Sequence, residues 1–148
     1  MEFDEMRKKM DISFVVDSRR FRILKLSGVP EFSDGIFSIT KDRNEVTVVA
    51  SEEADLVETQ DEEKYLRLLT IDAVLPFSLT GFLAHLSGVL AKEKIPIFVI
   101  STYSTDHIFV KEAFLDRAIE ALERNGIMQA KTGMTGVGEA LAENAKKV

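Results

Sequence analysis

The chain has no cysteine and two histidines among its 148 residues. Disulfides, thiolate nucleophiles and cysteine-based metal clusters are therefore excluded, and the common zinc sites are left short of ligands. Long apolar runs are missing as well. No stretch approaches the roughly 20 apolar residues of a membrane span. The opening MEFDEMRKKM mixes both charges and lacks the apolar core of a secretory signal. These absences predict a soluble protein in a reducing, cytoplasmic setting, with no membrane partner. Basic clusters are also wanting: 25 acidic residues outweigh 19 basic ones, for a formal charge of −6. A surface of that kind does not release counterions from a phosphate backbone, so nucleic acid is not expected as a direct partner. Phosphate loops fail in detail. Ala130-Lys131-Thr132 would need glycine at position 130 and another at 125, where asparagine stands. Gly133 to Gly138 reads GxxGxG, not GxGxxG, with no dinucleotide-binding βαβ unit before it. No cofactor and no metal are assigned.

What the chain does have is 45% apolar and 30% charged residues, enough for one substantial core or two small ones sharing an interface. The clearest pattern starts at Tyr65. Leu66, Leu68, Leu69, Ile71, Ala73 and Val74 form a mostly apolar run that stops at Pro76, as a buried central strand would. Ser78 then stands where a helix cap belongs, ahead of Leu79, Phe82, Leu83, Leu86, Val89 and Leu90 at steps of three and four. Ile97 to Thr102 and His107 to Val110 predict a hairpin around the polar turn 103–106. A second helix opens at Glu112, with Phe114, Leu115, Ala118, Ile119 and Leu122 on one stripe and Asn125-Gly126 as a left-handed stop. Ile127, Met128 and Ala130 can supply a short closing strand, after which a tail, 132–148, ends in ten residues that read as a frayed end rather than a partner-binding helix.

The first half carries strand patterns at 12–16, 21–26, 36–40 and 45–50, and is helix-poor. Arg22 falls on Arg67 at an offset of 45, whereas Thr40 falls on Thr102 and Asn44 on Asp106 at an offset of 62. The difference of 17 residues is about one helix and a loop, which predicts a degenerate repeat whose first helix is shortened or lost. The acidic segment 51–64, SEEADLVETQDEEK, is expected to connect the halves.

The segment LPFSLTGFLAHLSGVLAKEKIPIFVISTYSTDHIFVKE, Leu75 to Glu112, resembles the core of tandem ACT-domain proteins, similar to aspartate kinase regulatory domains and CASTOR-type arginine sensors. That resemblance implies an α+β fold of two ferredoxin-like βαββαβ units in tandem, the first degenerate: 11–62 as the N-terminal ACT-like half and 63–131 as the C-terminal ACT domain. It implies allosteric regulation by a small effector, an amino acid, held at an interface between ACT units in a homodimer, and no catalysis. Carried over by position, the effector site falls on Phe77, Ser78, Leu79, Thr80, Gly81, Ser101, Thr102, Tyr103 and Asp106. CASTOR-type sensors place an acidic residue near the helix start, whereas Leu79, Thr80 and Gly81 offer no carboxylate, which speaks against arginine as the effector.

Physical chemistry gives these positions both a ligand reading and a plainer one. An amino acid presents a carboxylate and an ammonium on one carbon. A helix start near Ser78 would meet the carboxylate with N–H groups and the positive dipole end. Asp106 and strand-end carbonyls near Thr102 would meet the ammonium. Against this, Ser78 is an ordinary cap, Gly81 suits close helix packing, Asp106 suits an Asx turn, and Thr102 and Tyr103 are common strand residues. His85 among Phe82, Leu86 and Val89 reads as an edge histidine, not a base. His107 and Asp106 alternate faces and so form no acid–base dyad. The Asp61-Glu62-Glu63 run lacks EF-hand spacing. An enzyme on this scaffold would need an activated group that the chain does not offer, and an RNA-recognition module would need exposed sheet aromatics and a basic surface. A purely structural interaction module, or a regulatory subunit with no ligand of its own, is the alternative.

Overall fold

The computed structural model describes residues 1–9, 11–56 and 61–130. The expected tail, 132–148, and the glycine-rich stretch within it lie outside them. Three helices, α1 (Phe3–Lys9), α2 (Phe82–Lys92) and α3 (Leu115–Arg124), accompany seven strands: β1 (Ser13–Leu26), β2 (Ile36–Lys41), β3 (Val46–Ser51), β4 (Asp61–Ile71), β5 (Phe98–Ser101), β6 (Asp106–Lys111) and β7 (Met128–Gln129). The chain packs as two compact units. Among the described residues, one holds Met1–Asp17 and 68–130, and the other lies within Ser18–Arg67. The strands β1 and β4 are long enough to contribute to both.

In the first unit the order β4–α2–β5–β6–α3–β7 is the βαββαβ order of a ferredoxin-like fold, as expected. Across its sheet the strands run β7, β1, β4, β6, β5. The closing strand β7 therefore departs from the simple pattern. It pairs parallel with β1 at Ser13–Met128 and Phe14–Gln129, while the start of β1 takes the place beside β4. The core gathers Leu69 and Ile71 from β4, Leu86 and Leu90 from α2, Ile108 and Val110 from β6, and Ala118 and Leu122 from α3, with Phe14 of β1. Each fully buried leucine-sized side chain contributes about 1.5–3 kcal/mol. The small Ala118 and Ala121, both buried, let α3 lie close against its neighbours.

The second unit is strand only among the described residues, with β2, β3, β1 and β4 side by side. β1 pairs antiparallel with β3 from Phe21–Ser51 to Leu26–Val46, and β2 pairs antiparallel with β3 with a bulge between Ile36 and Ser38. Its core is Leu24, Ile36, Val46, Val48 and Ala50. The turn at 42–45 is an Asx turn. The Asn44 and Glu45 N–H groups donate to Asp42 Oδ1 at 2.7 and 2.8 Å, and these bonds hold its carboxyl below the usual range.

Three local expectations need correction. The two strands expected at 12–16 and 21–26 are one strand of 14 residues. The last four residues of the acidic connector, 61–64, are the start of β4. Their charge is tolerated there because Glu62 lies 3.6 Å from Arg22 on the neighbouring β1 and 3.0 Å from Lys64. Finally, α2 begins at Phe82, not at Ser78. Its N-cap is Gly81, at φ 90° and ψ −11°, and no side chain caps it. A left-handed residue cannot continue a right-handed helix, so everything before Gly81 is excluded from α2. Upstream, Leu79 N–H donates to Pro76 C=O at 2.9 Å, closing a turn over 76–79 that leaves Ser78 with no helix to cap.

Both large helices stop in the same way. After α3, Gly126 stands at φ 89°, with Gly126 N–H on Glu123 C=O and Ile127 N–H on Leu122 C=O. After α2, Lys94 takes the equivalent place at φ 57°, with Lys94 N–H on Ala91 C=O and Ile95 N–H on Leu90 C=O. Each is a Schellman stop, and each is sealed by a buried residue just beyond it, Ile127 or Ile95. A left-handed residue with a Cβ costs roughly 1–2 kcal/mol, offset in part by the greater unfolded-state freedom of glycine. Lys94→Gly should therefore stabilise the protein by about 0.5–1 kcal/mol, and Gly126→Lys should destabilise it by a similar amount. Urea unfolding midpoints at constant m-value check both.

Candidate functional site

The loop that leaves β4 and the turn that joins β5 to β6 meet at one end of the first unit. Thr105 donates its hydroxyl to Ile71 C=O at 2.8 Å, and Leu75 N–H donates to Ser104 C=O at 2.7 Å. Thr102 N–H closes the turn on Thr105 C=O at 2.9 Å. Ser104 and Thr105 are buried polar residues, and these bonds satisfy a turn and a loop that lie outside the ladder.

Beneath the turn lies a short polar chain. His107 is 8% exposed. Its Nδ1 stands 3.0 Å from Thr70 Oγ1 on β4 and its Nε2 2.8 Å from Thr102 Oγ1. Burial pushes the imidazole below its usual pKa, with Asp106 acting weakly in the opposite direction. A neutral ring has one donor and one acceptor nitrogen, and a hydroxyl can answer either, so the neutral form is fully paired. Sequence reading did not find this chain, because Thr70 and His107 are 37 residues apart.

The expected site residues fall into two groups. In the turn, Ser101 donates its hydroxyl to Asp106 Oδ1 at 2.6 Å, so these two are in direct contact, and Thr102 bonds His107. Tyr103 is fully exposed and packs on nothing. At the helix start, Phe77 is likewise fully exposed, Ser78, Thr80 and Gly81 are exposed, and Leu79 leans on the core. Leu75–Ser104 links the two groups two residues short of Phe77. His85, on the first turns of α2, lies 3.3 Å through Nε2 from Asn125 C=O, the edge role expected of it.

An element with no place in the expected site also reaches it. The segment 1–3 runs alongside Thr80 as a parallel bridge. Thr80 N–H donates to Met1 C=O at 2.9 Å, and Phe3 N–H to Thr80 C=O at 2.8 Å. Phe3 is buried, its ring edge-on to Phe82 at 5.2 Å and 5.1 Å from the His85 ring. Its signal in the sequence is Phe3 and Met6 three apart, with Asp4 and Glu5 in the first turn. A cavity of about 430 Å³ opens here, lined by Glu2, Phe3, Asp4, Thr80, Gly81 and His85. Among the described residues, no cluster of three or more histidine, aspartate or glutamate side chains is placed to hold a metal ion. No helix among them is long and apolar enough to cross a membrane.

Residues 61–124 match the family model of the ACT domain. No curated protein sequence matches the chain significantly. Among solved structures, the fold is similar to a protein from Agobacterium tumefaciens at TM-score 0.70 and 19% identity, covering 85% of this chain and 98% of that one. It is similar to a Vibrio cholerae protein of unknown function, described as a possible transport protein, at TM-score 0.60 and 23% identity over 77% and 89% of the two chains. It is also similar to the ligand-free regulatory subunit of aspartate kinase from Thermus thermophilus, at TM-score 0.54 and 12% identity over 78% and 95%. The fold is thus α+β and ferredoxin-like, of the ACT type.

The polar chain at His107 gives a pH prediction. Its folded pKa lies below the unfolded value near 6.5, so the folded state binds fewer protons around and below that pH. This contribution to stability is complete above about pH 6.5 and is lost as pH falls below it. Urea unfolding should show stability dropping between about pH 7 and 5 by more in the native chain than in His107→Gln, where that slope disappears.

Proposed function

We propose that this chain is a non-catalytic, cytoplasmic regulatory module that binds an amino acid where β4 gives way to α2. The site would be completed by a second ACT unit in a homodimer, with no cofactor and no chemistry of its own. The observation that carries this reading is the start of α2. Within the segment matched to the ACT domain, the helix has a glycine N-cap, no side-chain cap and no acidic residue in its first turn. The N–H groups of that turn have no internal partner, and their dipole favours a carboxylate. Gly81 adds no side chain at the point of approach. Asp106, held at the surface by Ser101, would take the ammonium through a charge-assisted bond. The ligand-binding set is then Phe77 to Gly81 with Ser101, Thr102, Tyr103 and Asp106, the exposed Phe77 and Tyr103 being the side chains a second unit would cover.

The tandem reading, 11–62 and 63–131 as two copies, has support of its own. From β1 the second unit runs β1, β3, β2, and from β4 the first unit runs β4, β6, β5: first strand, third, second in both. Nine residues, 27–35, separate β1 from β2, whereas 26 residues, 72–97, separate β4 from β5. The excess of 17 is accounted for by α2 and its flanking turns. A second functional reading, an interaction module with no ligand of its own, is favoured by one fact: Thr80 already has backbone partners within the chain.

A thermal-shift screen against the twenty amino acids separates the two. A ligand at 100 times its dissociation constant stabilises by about 2.7 kcal/mol, which moves the melting temperature by roughly 5–11 °C in a protein of this size. A selective shift with one amino acid names the effector, and no shift with any of them favours the module. Asp106→Ala should abolish that shift while lowering stability by about 0.5–1.5 kcal/mol, the worth of its bond to Ser101. Unchanged affinity in the folded variant removes Asp106 from the site.

A further inference from the structure

The segment proposed to receive the effector is covered by the chain's own first residues. Thr80 directly precedes the Gly81 N-cap of α2, and both its backbone groups are taken: the N–H by Met1 C=O and the C=O by Phe3 N–H. Phe3 and Met6 fasten the segment by their side chains. Both are buried and belong to the same core as Phe82, Leu86 and Val89 of α2. At Gly81 the two chains come within van der Waals reach, since a Cβ added there would lie 3.7 Å from Phe3 Cβ. Around these anchors stand the bridge at Glu2–Thr80, a bond from the Met1 ammonium to Ser78 C=O at 3.2 Å and one helix of seven residues. A short segment attached at the edge of the fold opens locally at lower free energy than the sheet and long helices it rests on.

We propose that residues 1–9 form a self-docked strap that competes with the effector for the backbone at Thr80 and Gly81. The inference rests on the amino-acid reading of that site and adds its regulation. With the strap down, Thr80 hydrogen bonds to the strap instead of to ligand. With the strap lifted, Thr80 and the first turn of α2 are open. The measured affinity is then the intrinsic affinity reduced by the fraction of molecules with the strap lifted. Whatever captures residues 1–9, whether a partner protein or a second copy of the chain, would raise the affinity of the site by the same factor.

Two variants bracket the equilibrium. Phe3→Ala removes the main anchor and should lift the strap. The chain has no cysteine of its own, so the double variant Glu2→Cys/Thr80→Cys has one possible intramolecular disulfide, between residues that are bridge partners and so close enough to join. Oxidation locks the strap down and reduction frees it. Binding of each of the twenty amino acids is measured by titration calorimetry to the native chain, to Phe3→Ala, and to the double variant in both redox states. Hydrogen exchange at the Thr80 amide is followed alongside. The strap predicts at least tenfold faster exchange and at least tenfold tighter binding in Phe3→Ala. It also predicts at least tenfold weaker binding in the oxidised double variant than in the reduced one. Equal affinity in the oxidised and reduced forms overturns the strap and leaves the amino-acid site standing. Failure of every amino acid to bind both Phe3→Ala and the reduced double variant overturns the site itself, and the strap with it.

Discussion

The loop after β4 must leave a buried strand, cross the end of the sheet and deliver the chain to α2; at its two ends Asp72 N–H bonds Ser13 C=O and Thr80 bridges to Glu2. Its path is fixed by two hydrogen bonds from the β5–β6 turn, Thr105 hydroxyl to Ile71 C=O and Leu75 N–H to Ser104 C=O. Buried backbone groups are expensive to leave unpaired, so this clasp decides where the loop goes. The turn is in its own way dependent on the strands. Thr102 answers His107, and His107 answers Thr70 on β4. From β4 through the imidazole to the turn, and from the turn back to the loop, the polar groups form a closed circuit. Any ligand or partner that engages Thr102 acts on the same circuit that positions 71–75.

The start of α2 follows from that placement. Pro76 to Leu79 closes a turn, Thr80 bridges to Glu2, and Gly81 turns left-handed to admit the helix. The cost is a helix without a side-chain cap, which with glycine at the N-cap is about a few tenths of a kcal/mol relative to a serine or aspartate there. Such a cost is tolerable where the core holds the helix by Phe82, Leu86, Val89 and Leu90. An uncapped first turn beside a glycine is also what a ligand carboxylate requires. The same geometry therefore serves packing and the proposed binding, and binding measurements decide between them.

Much of this was legible in the sequence because the signals were periodic and local. The hairpin of Ile, Val and Phe and the Asn125-Gly126 stop appear where the pattern put them, whereas β4 ends at Ile71, short of the expected stop at Pro76, with Ala73 and Val74 in the loop, and the α2 stripe starts at Phe82. The misplaced helix start has a physical cause: Ser78 and Gly81 are both credible first residues, and tertiary pairing at Thr80 chose between them. α1 escaped because seven residues with two apolar anchors carry too little periodicity. The single long β1 escaped because Asp17-Ser18-Arg19-Arg20 looks like a polar break, whereas pairing and the stacking of Arg19 on the Phe21 ring at 4.9 Å carry the strand through it. The pattern closes the helix at 92–94 ahead of Pro96, as the structure does, but the left-handed turn at Lys94 carries no signal, since lysine there goes against its own preference. Of the expected site residues, Ser101 and Asp106 meet across the hairpin turn, while Thr80 has a partner 78 positions away that no local pattern announces.

The lost helix of the first half has a consequence for the number of sites. α2 needs 11 residues for the helix alone, and 27–35 supplies nine for the whole passage from β1 to β2. The first half thus offers no helix N-terminus at the place corresponding to α2, whatever its ancestry. If carboxylate recognition depends on such a terminus, the chain carries one effector site and not two, and a homodimer carries two. A protein with one site per chain can respond cooperatively through its dimer alone, so any sigmoidal response would have to pass through contacts between copies.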